Sequence, residues 1–132
     1  MFYFRACLFG RLSVVKFLKE KGARIDAKDT DNFTPLMCAV WKGQNEVVKY
    51  LIENGAKTYL TDMNRKTVLH LAIEEESSDT FDLLLESGCE DLINLNDKDY
   101  RTPLHYAAMK GNVKVWLHRT TQFSNLFERT CV

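Results

Sequence analysis

Glycines that recur at a fixed interval constrain this chain more than any other feature. Gly43 follows Gly10 by 33 residues, and Gly55 and Gly88 follow Gly22 in two further steps of 33. A constant period of this length indicates an array of stacked structural repeats, in which each unit is too small to bury its own apolar face. The sequence therefore predicts a solenoid rather than a globular domain with one central core.

One short helix is the unit that repeats. Residues 102–111 read T-P-L-H-Y-A-A-M-K-G, in which Thr102 is suited to cap a helix, Pro103 to its first turn and Gly111 to its left-handed end. Apolar residues at i, i+3 and i+4 between these ends predict one buried face. The same pattern returns in residues 34–43 and, in its first half, in residues 67–73.

The combination of T-P-L-H, A-A-x-x-G, V-V-x-x-L and G-A at these offsets resembles the ankyrin repeat family over roughly residues 1–115. The resemblance implies an all-α fold: an ankyrin-repeat solenoid of stacked helix-turn-helix units with projecting hairpin-like loops. The expected repeats are 1–29, which is N-terminally truncated, 30–62, 63–97 with a two-residue insertion, and the incomplete repeat 98–119, followed by an irregular tail over 120–132.

Both ends of the array depart from the pattern. Residues 1–4 lack the T-P-L-H opening, so we expect the first helix to be uncapped, apolar on its outer side and preceded by a further repeat. After Trp116 the apolar period stops. Residues 117–132 are open to two interpretations: an irregular cap on the last repeat, or unrelated sequence joined to a cut array.

Several positions predict local structure inside the repeats. Asn32, Arg65 and Tyr100 stand at loop tips where the family usually has glycine, so we expect positive φ or a shifted turn there. Glu76 stands in place of a stop glycine, which predicts an atypical turn. Met37 replaces the usual histidine, and we expect it to leave the loop backbone to Thr34 or water. Two further expectations are N-caps for second helices at Ser13 and Asn45.

Composition excludes several classes of partner and compartment. The formal net charge is zero, which gives no general attraction to nucleic acid or to an anionic membrane surface. No apolar run approaches a membrane span, and the apolar start contains Arg5 and no cleavage-site pattern, so neither direct membrane insertion nor a signal peptide is predicted. Four cysteines without C-x-x-C spacing predict reduced thiols in a cytoplasmic protein, with the nucleus left open.

No catalytic, cofactor or metal site is predicted. His70 and His105 occupy the structural histidine position of their repeats, and no Ser, Cys or carboxylate recurs beside them at a catalytic spacing. We therefore expect them to brace loops. The glycines form no phosphate-binding motif, and His118 has no partners at ligand spacing.

Protein binding is the predicted function. In the family, the loop tips and the exposed side of the first helix form the concave face that binds other proteins. Carrying those positions over predicts a partner site with Phe33, Trp41 and Met109 as apolar anchors. The full partner-binding set is Phe33, Trp41, Lys42, Lys66, Glu74, Glu75, Arg101, Met109 and Lys110.

The distribution of charge suggests what the partner is like. Residues 67–96 carry eight acidic residues and no Lys or Arg. Glu74 and Glu75 are expected in the groove, between apolar anchors on either side, which predicts a partner segment with basic residues between apolar ones. The alternative is a fragment of the cytoplasmic ankyrin array of a larger membrane channel, because residues 62–111 have a loose likeness to ankyrin-type transient receptor potential channels.

Overall fold

The computed structural model describes residues 2–112. Within that range the chain forms seven α-helices, one 3₁₀ helix and no strand. The α-helices are α1 Phe2–Leu8, α2 Leu12–Glu20, α3 Pro35–Trp41, α4 Asn45–Glu53, α5 Val68–Glu74, α6 Ser78–Glu86 and α7 Pro103–Lys110, and the 3₁₀ helix is Cys89–Asn94. The predicted all-α solenoid is confirmed.

The helices stack in two parallel rows. The first row packs α1 on α3, α3 on α5 and α5 on α7, while the second packs α2 on α4 and α4 on α6. The helices α1, α3 and α5 also each contact the second helix of their own repeat. Because every helix is short, its burial comes from neighbouring repeats rather than from its own length. The most buried side chains accordingly lie where the rows meet, including Leu36, Val47, Leu69, Phe81 and Leu84.

The turns between the paired helices use a left-handed residue. Gly10 and Gly43 have φ of 69° and 67°, and Glu76 adopts nearly the same backbone with φ of 56°. The residue that follows donates its N–H to the alanine carbonyl five residues before it, at 2.8 to 2.9 Å in all three turns. The turn at Glu76 is thus regular, and the expectation of an atypical turn is wrong. The backbone accepts the strain of a non-glycine residue instead.

Gln44 sets the start of α4 and ties two repeats together. Its Nε2 donates to the carbonyl of Leu8 at 3.0 Å, and a Cβ on Gly10 would lie 2.3 Å from its Oε1. The N-cap positions of α2 and α4 are Arg11 and Gln44, and neither forms a side-chain cap hydrogen bond. The predicted N-caps at Ser13 and Asn45 are therefore wrong, because both residues already lie inside a helix.

A projecting loop precedes each of α3, α5 and α7. In each loop an aspartate N–H donates to the carbonyl four residues on, at 2.9 to 3.1 Å, and the aspartates are Asp29, Asp62 and Asp97. The tips at Asn32, Arg65 and Tyr100 have φ near 60°, which confirms the positive φ expected there. Neighbouring loops are joined directly, since Met63 N–H donates to Asp31 O and Lys98 N–H to Asn64 O, both at 2.9 Å.

The two-residue insertion of the third repeat is accommodated by a helix. Residues 89–94 form the 3₁₀ helix, whose Cys89, Leu92 and Ile93 are buried against α5, α6 and α7. The enlarged segment therefore adds to the core. The expectations for residues 113–132, including the incomplete end of the fourth repeat and the tail, lie outside the described residues. The repeat boundaries themselves stay predictions.

Candidate protein-binding groove

A groove runs between the projecting loops and the first helices. Two cavities open along it: a first cavity of about 470 Å³ and a second cavity of about 340 Å³. Lys66 and Glu74 contribute to both and so form the boundary between them. The first cavity also takes in the predicted residues Phe33, Trp41 and Glu75, and the second takes in Arg101, Met109 and Lys110. Lys42 belongs to the lining of neither cavity.

An ion pair stands at the boundary. Lys66 Nζ lies 3.1 and 3.0 Å from the two carboxylate oxygens of Glu74, with both side chains partly buried. The same ammonium group lies 5.6 Å from the ring centroid of Tyr106. Since Glu74 is neutralised by a lysine of this chain, it does not act as the free acidic centre that the sequence suggested. The role of both residues in binding stays a prediction.

Aromatic residues form one wall of the first cavity. The rings of Phe33 and Trp41 pack edge to face with centroids 6.0 Å apart. Trp41 Nε1–H donates to Glu75 Oε1 at 2.7 Å, which links the third and fifth α-helices across their exposed ends. Lys42 Nζ lies 4.8 Å from the Trp41 ring centroid. Trp41 is therefore held in place, although 39% of its surface is exposed.

The second cavity is built around a buried hydrogen-bonded aspartate. Asp97 Oδ1 accepts the N–H groups of Asp99 and Arg101, both at 2.9 Å, and Oδ2 accepts the hydroxyl of Tyr106. Burial alone would raise the pKa of Asp97, but these three donors outweigh it and leave the pKa below its usual value. Burial and the neighbouring carboxylate raise the pKa of Tyr106. Near neutral pH, Asp97 therefore stays an ionised acceptor and Tyr106 a protonated donor.

His70 braces the loop that carries Arg101, as predicted from its position. Its Nδ1 accepts the N–H of Thr67 at 3.1 Å, so the proton lies on Nε2, which donates to the carbonyl of Arg101 at 2.8 Å. Desolvation by burial lowers the pKa of His70 and keeps the ring neutral. His105 makes the same contact to Thr102 N–H at 2.9 Å.

In the second repeat, Met37 occupies the position of the structural histidine but has no N–H donor on its side chain. Its sulfur accepts the N–H of Thr34 at 3.4 Å, and its own N–H donates to Thr34 Oγ1 at 3.2 Å. The expectation that Met37 leaves the loop backbone entirely to other groups is therefore wrong for Thr34. The expectation applies to the loop before α5, where Lys66 occupies the position that Arg101 has before α7. The thioether of Met37 cannot donate a hydrogen bond to the carbonyl of Lys66.

Sequence reasoning missed the loop aspartates. Asp29 and Asp62 both line the first cavity, and each uses Oδ1 to accept two backbone N–H groups of its own loop. The signal was present, since Asp62 follows Asp29 by 33 residues and Asp97 follows Asp62 by 35, a step that contains the two-residue insertion. The spacing alone does not show that these aspartates both form the loop turns and line the groove.

Three further features of residues 2–112 concern metal binding, membrane insertion and thiol chemistry. They include no group of three or more His, Cys, Asp or Glu residues arranged to hold a metal ion. No helix in that range is long and apolar enough to cross a membrane. Cys7, Cys38 and Cys89 are buried free thiols. Burial raises the pKa of Cys7 and of Cys38 to about 12, which keeps both thiols protonated.

Comparison with known proteins agrees with the helical architecture. A family model described as ankyrin repeats, in three copies, matches residues 3–62 and again residues 57–118. No curated protein matches the chain. The two matched segments together take in every α-helix and loop of the described structure except Phe2, the first residue of α1.

Proposed function

Because this chain belongs to the ankyrin-repeat family, we propose that it is a non-catalytic module whose groove holds a segment of another protein. Ankyrin-repeat proteins are typically interaction modules without catalysis, and that general role applies here. The finer part of the proposal is the location: the partner segment lies along the groove in contact with both cavities. We extend the proposal to a cytoplasmic setting, which the sequence predicted.

The observation that carries the proposal is the exposure of large side chains along the groove. Met109 is 64% exposed and Trp41 is 39% exposed, one beside each cavity. Trp41 is fixed by Phe33 and Glu75, so little side-chain freedom remains to be lost on binding. Aromatic and methionine side chains are enriched at the centres of protein interfaces.

A test is the selection of binders from a displayed library of random peptides against the folded chain. The proposal requires that enriched peptides lose binding to Trp41→Ala and to Met109→Ala. Phe17→Ala is the matched control, because Phe17 is an exposed aromatic residue on α2, which does not line either cavity. Enriched peptides that bind all three variants equally would place the interaction outside the groove and contradict the proposal.

The channel-fragment alternative stays a prediction from the sequence. No observation on residues 2–112 favours it over a free interaction module. It shares the same groove, so the peptide selection tests the binding function under either alternative.

A further inference from the structure

We propose that the first cavity receives one arginine side chain of the partner segment. The inference rests on the proposed function and makes it specific, since it names the partner residue that the groove recognises. The first cavity, at about 470 Å³, falls within the range of roughly 300–1,000 Å³ typical of sites that enclose a small group. Its lining combines an apolar wall with an excess of acidic residues.

The charge of the first cavity favours a cation. Asp29, Asp31, Asp62 and Glu75 line it, and among residues 2–112 the only basic residue in its lining is Lys66. Lys66 is engaged with Glu74, so this pair adds no net charge. The four remaining acidic residues therefore face the cavity without a matching basic residue from its lining. A basic partner group would be attracted to this site more than to other parts of a neutral protein.

Asp62 supplies an acceptor that the fold itself does not use. Only 8% of its surface is exposed, and both N–H groups that reach it bind Oδ1. At the equivalent aspartate of the next repeat, Asp97, Oδ2 accepts the hydroxyl of Tyr106. The residue at the Tyr106 position in the third repeat is Leu71, which cannot donate. Among residues 2–112, no hydrogen bond reaches Asp62 Oδ2, so this carboxylate oxygen is free to accept one from a partner.

The apolar part of the lining fits the stem of a long basic side chain. Phe33, Trp41 and Leu71 lie beside the acidic residues of the same cavity. Arginine and lysine both bury their methylene groups on such surfaces while placing the charge at a polar end. Arginine fits this cavity better, because its planar fork of five N–H donors can serve several carboxylates at once, whereas an ammonium group acts as a point charge.

The net charge of the second cavity is opposite in sign to that of the first, and this difference fixes the direction of the partner segment along the groove. Beyond the boundary pair it is lined by three basic residues, Lys98, Arg101 and Lys110, against Asp97 and Asp99, which leaves an excess of one positive charge. A partner arginine would meet like charges there. The arginine of the partner therefore belongs on the α3 side of the Lys66–Glu74 pair.

The test uses blocked pentapeptides of sequence Ala-Leu-X-Leu-Ala, in which X is arginine, lysine or citrulline. The reporter is the NMR signal of the Trp41 indole N–H, which donates to Glu75 in the cavity wall. Replacing the other tryptophan by Trp116→Phe leaves one indole signal. We expect saturable shifts with the arginine peptide and at least about tenfold weaker binding of citrulline, which has the same shape without the charge. Equal binding of the lysine or citrulline peptide, or no shift with arginine, overturns the inference.

Two variants locate the effect. Asp62→Asn keeps an oxygen for the loop N–H groups but replaces Oδ2, and we expect it to weaken the arginine peptide about tenfold. Asp26→Asn is the matched control, because Asp26 Oδ1 also accepts a backbone N–H, that of Lys57, while Asp26 lines neither cavity. It should leave affinity unchanged, so equal losses in both variants contradict the inference. Leu71→Tyr provides an independent check if Asp62→Asn unfolds. Its hydroxyl should bind Asp62, as in the fourth repeat, and should abolish peptide binding in a folded protein.

The outcomes for function and for arginine are separate. Library peptides that bind through Trp41 and Met109 but lack a central arginine would leave the proposed function intact and refute this inference. Failure to obtain any groove-dependent peptide would refute the proposed function.

Discussion

Met37→His should stabilise the protein by adding a hydrogen bond that the third repeat already has. Met37 is fully buried at the position that His70 holds one repeat later. His70 Nε2 donates to Arg101 O at 2.8 Å, and the same carbonyl also accepts the N–H of Asp97. Lys66 O is the matching acceptor for residue 37, and it too accepts only an aspartate N–H, from Asp62 at 3.1 Å, within the described residues.

The expected gain can be estimated from these contacts. A buried hydrogen bond contributes roughly 0.5–1.5 kcal/mol net. The new ring nitrogen would also accept Thr34 N–H, as His70 and His105 do at 3.1 and 2.9 Å, in place of a sulfur at 3.4 Å. Some apolar burial is lost with the thioether, so we expect a net stabilisation of about 1 kcal/mol. For a domain of this size that corresponds to a rise in Tm of roughly 3–5 °C.

Urea unfolding at pH 8 and at pH 5.5 measures the gain and its cause. The new bond needs a neutral ring, and a buried histidine is harder to protonate than an unfolded one. The advantage should therefore be full at pH 8 and decline below about pH 6.5 as the unfolded chain binds a proton. Met37→Leu is the matched control: it is buried and apolar, offers no donor, and should not be stabilised at either pH.

Two results would refute this reasoning. Met37→His could be less stable than the wild type at pH 8, which would mean that Lys66 O is not reached. Alternatively, a gain of equal size at both pH values would attribute it to packing rather than to the neutral ring.

Three further predictions concern the described fold. Glu76→Gly should stabilise the protein by about 0.5–1 kcal/mol in urea unfolding, because relief of a left-handed non-glycine residue exceeds the entropy that glycine adds; a loss would contradict this. Because burial lowers the pKa of His70, its contribution to the free energy of unfolding should be complete above pH 6.5, the ordinary pKa of histidine in an unfolded chain. Below that pH the free energy of unfolding should fall by up to about 1.4 kcal/mol per pH unit, and His70→Met should flatten this dependence. Phe2 and Phe9 are 78% and 63% exposed, so replacing both by serine should reduce self-association in light scattering, and unchanged scattering would show that this surface is not adhesive.

The sequence was sufficient for the architecture because its signals are local and periodic. Pro103 and Gly111 mark the two ends of one helix, and the spacing of the glycines fixes how often that helix returns. Glu76 was misinterpreted for a physical reason. A residue type indicates which backbone conformation is favourable, but the packing of α5 on α6 decides which one is adopted, at a modest local cost.

The groove could be predicted only in part from the sequence. Family position was enough to nominate Trp41, Glu74 and Glu75 as neighbours of one surface. It did not reveal that Lys66 pairs with Glu74 or that Trp41 binds Glu75, since both contacts depend on side-chain directions across neighbouring elements. The unused oxygen of Asp62 was harder still to predict, because it is recognised only by comparing the hydrogen bonds of two repeats.

The direct links between loops bear on how such a protein changes over evolution. Met63 N–H to Asp31 O and Lys98 N–H to Asn64 O are bonds between backbone atoms, so they do not depend on which side chains those residues carry. Substitutions at loop tips can then accumulate while the spacing between loops is kept. Recognition can diversify without remodelling its support, and a designed library that varies these tips on this chain would begin from a scaffold already tolerant of change.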